Sequence, residues 1–171
     1  MQNLFKYAIF VDLGNAAGKQ CAAASVNDSG QTVGNCTSAT PSANDAPWYA
    51  ASTAGPQQVL PPLAANQPCS VGAIGNSGVM VGLCLDASNF TFAVTWSAAA
   101  PATAPTKLAP LPASLLFPLL RPADVNTFAR AQNQQGAVLG WSVSGKSEFT
   151  VVLYRPGVAT PERISGWGDM C

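Results

Sequence analysis

The segment Cys21 to Cys36 realigns on Cys69 to Cys84 at a shift of 48 residues. The same shift carries Trp48 to Trp96, Leu60 to Leu108, Pro62 to Pro110 and Leu63 to Leu111. One ungapped offset over that span marks a tandem repeat. A repeat constrains a fold more than local propensity does, because each unit must bury its apolar face against its neighbours. A further shift of 58 finds a third copy, in which Gly136 answers Gly78, Gly140 answers Gly82 and Tyr154 answers Trp96. Thr127 and Ser142 stand there where the other copies have cysteines, and ten extra residues fall within 112–125. The chain therefore divides, as one repeat domain over 1–171, into 21–68, 69–126 with an apolar insertion, and 127–170. Phe5 to Leu13 reads as the last strands of a preceding incomplete copy, so that 5–20 is a partial end copy and connector.

Each copy opens with a hairpin. Asn27-Asp28-Ser29-Gly30, Gly75-Asn76-Ser77-Gly78 and Asn133-Gln134-Gln135-Gly136 are turn sequences, with Gly supplying a positive φ. Centring the hairpins there makes cross-strand partners sum to 57, 153 and 269 in the three copies. The first sum pairs Val26 with Gln31, Ala24 with Val33 and Cys21 with Cys36. The second pairs Cys69 with Cys84, and the third puts Thr127 opposite Ser142 and Phe128 opposite Trp141. Opposed cysteines at such positions reach disulfide distance, and loss of both together in the third copy fits bonded pairs better than buried free thiols. Neither pair has the C-x-x-C spacing of zinc or redox sites. Disulfides persist in oxidising compartments, which favours the periplasm, the exterior or the cell surface. Asp12 interrupts the N-terminal apolar run, so no signal-peptide pattern is seen, and Cys171 is left without an assigned partner.

Third strands are expected at Ala46 to Ala50, Phe90 to Ser97 and Glu148 to Arg155, rich in β-branched and aromatic residues. A Leu-x-Pro-Leu segment closes the first two copies. Gly and Pro punctuate every stretch and no helical period survives. The reading is all-β: an antiparallel repeat architecture, β-propeller-like, with about three blades plus incomplete end copies, a β-trefoil-like arrangement being the alternative. The pattern A-x-x-(I/V)-N-x-x-G-x-x-V-G appears as Ala23 to Gly34, Val71 to Gly82 and Ala129 to Gly140. With the aromatic strand and Leu-rich close that follow, it resembles the HAF family of extracellular bacterial repeats. That resemblance implies a propeller-like, exported protein and brings no established chemistry to particular residues.

Composition narrows the function. Eight basic and eight acidic side chains leave no net charge, which disfavours a nucleic-acid partner. The chain has no His, which removes the commonest general base and metal ligand. Asp28, Asp45, Asp86 and Asp124 show no calcium-loop spacing, and no carboxylate couple is adjacent in sequence. Gly14 to Gln20 is one residue short of a phosphate loop and has Gln20 where a hydroxyl is needed. No catalytic residue, metal ligand or cofactor is assigned, no apolar run is long enough for a transmembrane segment, and the expectation is not an enzyme. Asn27, Asn35 and Asn89 open N-x-[ST] sequons but read as turn residues.

Trp48, Trp96 and Tyr154 occupy one repeat position. They read as core between blades or, in the sharper reading, as a ring of platforms for sugar faces, with Trp141 and Trp167 as further candidates. Leu115 and Phe117 lie in the most apolar stretch, which marks a partner site if exposed. The function expected is a secreted or cell-surface, non-catalytic structural or interaction module, self-assembling through open sheet edges as a homo-oligomer or fibre. The alternative is a glycan-binding lectin, an oligomeric β-propeller with carbohydrate as its partner.

Overall fold

The computed structural model describes residues 19–38, 46–52, 55–113 and 122–164. The end copy expected over Phe5 to Leu13, together with Leu115, Phe117, Trp167 and Cys171, lies outside the described residues. Sheet one is formed by β1 (Lys19–Val26), β2 (Thr32–Ser38), β3 (Ala46–Ala50) and β4 (Gln58–Val59). Sheet two holds β5 (Cys69–Ile74), β6 (Val79–Leu85), β7 (Thr91–Ser97) and β8 (Thr106–Lys107). Sheet three holds β9 (Asn126–Gln132), β10 (Val138–Val143), β11 (Phe149–Tyr154) and β12 (Glu162–Arg163). Each sheet is an antiparallel meander in sequence order, and no helix occurs among the described residues. β3 matches its expected range, β7 starts one residue later than expected, and β11 is one residue shorter at each end.

The opening hairpins share one geometry. Asn27 N donates to Gln31 O and Gly30 N to Asn27 O; Gly75 with Val79 and Gly78, and Asn133 with Ala137 and Gly136, repeat the pattern. Gly30, Gly78 and Gly136 have φ of 74, 75 and 91°, the left-handed region that makes Gly the fitting residue after a type I turn. The turn therefore has three loop residues where two were expected, which moves the partner sum up by one at the tip. Val26 pairs with Thr32 and Ser25 with Val33, correcting the expected Val26–Gln31 and Ala24–Val33 pairs. A bulge then absorbs one residue on the first strand of every sheet, at Ala24, Gly72 and Arg130, and restores the expected sum. The two displacements cancel, so Cys21 pairs with Cys36, Cys69 with Cys84 and Thr127 with Ser142. Both cysteine pairs are disulfide-bonded, with Cα atoms 4.0 and 4.1 Å apart. Each closes a separation of 15 residues, worth about 3 kcal/mol by loop entropy.

The second recurrent glycine has a different cause. A Cβ on Gly34, Gly82 or Gly140 would overlap the carbonyl oxygen of Ala22, Ser70 or Phe128 on the neighbouring strand, and at Gly34 and Gly82 also the ring of Trp48 or Trp96. Close strand approach beside the bulge, rather than turn conformation, requires these glycines.

The third strands depart from the ungapped repeat. Gly34 faces Trp48, whereas Gly82 faces Val94 and Gly140 faces Val152. Two rungs on, Ala50 holds the place that Trp96 and Tyr154 take in the other sheets. The rungs Cys36–Ala46 and Cys84–Phe92 enclose different loop lengths, the first being two residues longer. A connection two residues shorter after β3 restores the phase, because Leu60 N donates to Pro47 O just as Leu108 N donates to Ala93 O. Trp48 is thus two rungs out of step with the other two rings.

The sheets stack face on face. Val33, Tyr49 and Leu60 of the first unit pack on Val71, Ile74, Met80, Cys84, Val94 and Trp96 of the second. On the opposite face of sheet two, Val81 and Ala93, with Leu108 and Leu111 beyond the sheet, meet Val138, Val152 and Tyr154. Gly82→Ala is expected to lower stability by about 2–3 kcal/mol, because the strands would have to move apart. Gly30→Ala, which adds only a left-handed φ in open space, is expected to lose about 1–2 kcal/mol. Urea denaturation of the two variants measures the order.

Candidate functional site

Two of the three aromatic positions singled out by the repeat, Trp96 and Tyr154, act between sheets. Trp96, 3% exposed, sends its indole Nε1–H to Pro61 O at 2.9 Å, across the seam to the linker of the preceding unit. Tyr154, 1% exposed, does the same with its hydroxyl to Ala109 O at 2.9 Å. The two acceptors are themselves one repeat apart. Trp48 is equally buried at 1%, against Cys36 and Ala50, and among the described residues its Nε1 meets no acceptor. Burial leaves these three rings no open face on which a sugar could stack. Desolvation pushes the Tyr154 phenol up to about 12.

Polar side chains complete each seam. Asn35 uses both ends of its amide, donating to Val71 O and accepting from Val71 N at 2.8 Å each. Asn27 folds its own turn by accepting from Ser29 N and Gln31 N, and donates across to Gly75 O. At the next seam Gln134 accepts from Asn76 N through its side chain and from Ser77 N through its main chain. The structure thus gives Asn27 and Asn35 packing roles inside the stack.

Thr127 and Ser142 do more than fill vacated cysteine positions. Both are fully buried. Thr127 Oγ1 accepts from Ala93 N at 2.9 Å and donates to Leu108 O at 3.1 Å. Ser142 Oγ accepts from Leu111 N at 2.8 Å. A disulfide at the same rung in sheet two instead joins the apolar cluster between sheets one and two. Sequence reasoning registered only the missing cysteines; the signal it missed was that both replacements carry hydroxyls.

The outward face of sheet three is the counterpart of the sheet-two face that receives sheet three. Its rows are Phe128–Trp141–Val151 and Ala131–Leu139–Leu153, with Val143–Phe149 beyond. Phe149 is 65% exposed, Val151 40% and Leu139 38%, while Trp141, Phe128 and Leu153 are half-buried. Trp141 is the singled-out aromatic that reaches this surface.

Chemistry-bearing groups are sparse. Lys107 lies 3.2 Å from the Phe92 ring centroid and 3.5 Å from Asp86, and Arg155 pairs with Glu162 through two nitrogens. A cavity of about 230 Å³ between sheets two and three is lined by Trp96, Leu108, Val138 and that paired Arg155. Among the described residues no three His, Cys, Asp or Glu side chains come together as a metal would need. No helix among them is long and apolar enough to cross a membrane.

Thr127→Val is expected to lose about 1–3 kcal/mol, because the Ala93 amide and Leu108 carbonyl are left buried without their partner; Thr127→Ser should retain most of it. A second expectation concerns alkali. An unfolded tyrosine ionises near pH 10, roughly, and the folded Tyr154 near 12. The unfolded chain therefore gives up its proton first, and stability present below pH 10 falls as pH rises through that window, by roughly the linkage relation. Tyr154→Phe should remove that part of the fall, as read by denaturation at successive pH values. Comparison with known proteins finds no matching family model, no similar curated protein and no similar solved structure.

Proposed function

We propose that this chain is a non-catalytic structural or interaction module, exported or displayed at the cell surface, built of propeller-type blades and able to self-assemble at an open end of its stack. The observation that carries this reading is the outward face of sheet three. It presents Phe149, Val151 and Leu139 to solvent in a register where the two preceding sheets are each covered by another sheet. A repeat unit that cannot bury its face alone calls for another unit or a partner, and exposed contiguous apolar surface of this kind marks interaction sites. The two disulfides support an oxidising compartment. The shared turn glycines and close-approach glycines are what the likeness to HAF repeats rests on, and each has a structural cause here.

A lectin remains the second reading, favoured by one observation: Trp141 and Phe128 lie side by side on that same face, where rings could stack on sugar. Sedimentation equilibrium over a wide concentration range tests the first reading. Mass rising above the 17.5 kDa of one chain is expected. A monomer throughout, with saturable binding on a glycan array that Trp141→Ala abolishes, would transfer the assignment to the lectin.

A further inference from the structure

We propose that the outward face of sheet three pairs with the same face of a second copy, giving a two-fold symmetric dimer in which the two end sheets pack as a sandwich. This rests on the self-assembly reading above and adds the surface, the partner and the symmetry. The stack itself indicates what covers such a face. In sheets one and two the equivalent face is covered by a further sheet of the same chain, through apolar side chains of adjacent strands. A second copy offers two end faces. On the far face of sheet one the central strands are already buried, with Trp48 1%, Ala50 0% and Cys36 6% exposed. Its exposed apolar residues, Val26 and Val59, lie apart on the outer strands β1 and β4, so it offers a head-to-tail neighbour no continuous central face. What the second copy has free is its own sheet three.

The composition of the face suits such pairing. Phe128, Leu139, Trp141, Phe149, Val151 and Leu153 form its rows. The charges at its edge, Glu162 beside Leu153 and Arg155, are paired with each other, so a two-fold axis brings apolar side chains against apolar side chains. Sheets packed this way lie with strands nearly aligned. Three strands about 4.8 Å apart and some six residues long present roughly 300 Å² of flat area. Doubled in a pair, this falls short of the roughly 1,200 Å² of stable interfaces, so a weak, concentration-dependent dimer is expected. An isologous contact closes on itself and stops at two.

The experiment is sedimentation velocity on the full chain with its disulfides intact, in a Cys171→Ser background. The expected result is a monomer–dimer equilibrium with no larger species, weakened at least tenfold by Val151→Lys and unaffected by Val26→Lys, which alters the exposed outer strand of the sheet-one far face that a head-to-tail contact would use. Near-UV circular dichroism confirms that both variants fold. On mild oxidation Val151→Cys should yield covalent dimers and no ladder. A ladder of larger species, or association indifferent to Val151→Lys, would overturn the two-fold pairing while leaving self-assembly standing. A monomer at every concentration would overturn both.

Discussion

A sheet of four short strands, the last only two residues long, cannot bury two faces by itself, and everything else in this molecule follows from how the units meet that need. The Trp96 indole and the Tyr154 hydroxyl each cross a seam to a main-chain carbonyl of the preceding linker. The apolar contacts around them supply most of the driving force, since hydrophobic burial is non-directional and scales with area. Direction comes from the hydrogen bonds. A buried indole or phenol without an acceptor would be costly, so each latch permits one relative placement of neighbouring sheets.

Two chemistries meet the same requirement at the base of the hairpins. In sheets one and two a disulfide joins the strands at that rung. In sheet three Thr127 and Ser142 turn outward from the pairing and bind the backbone of the second unit, at Ala93 in sheet two and at Leu108 and Leu111 just beyond it. The disulfide constrains one hairpin, chiefly by limiting the unfolded chain; the hydroxyl pair ties one sheet to another. The exchange moves stabilisation from within a unit to between units.

Much of this was legible in the chain. The turn glycines gave the hairpin positions, because few residues other than Gly suit the conformation at Gly30, Gly78 and Gly136. The cysteine rung followed although the tip register was misread, since the three-residue loop and the bulge at Ala24, Gly72 and Arg130 shift partners in opposite senses. The phase of β3 was hidden by a similar cancellation. Two residues gained before it and two lost after it leave Leu60 and Leu108 aligned while Trp48 slips two rungs from Trp96. Asn35, the clamp on Val71, was not distinguishable from a turn residue, because its role depends on which face of β2 it occupies and on a neighbour 36 positions away.

The seam latch is tested most directly by hydrogen exchange of the indole protons together with the amides of Ala93 and Leu111, followed by NMR. If sheets are stacked and latched as described, the Trp96 indole proton and those two amides exchange only through unfolding of the whole stack, at a common slow rate, while the half-buried Trp141 indole exchanges far sooner. Exchange of the Trp96 proton as fast as that of Trp141, with Ala93 and Leu111 unprotected, would contradict the account.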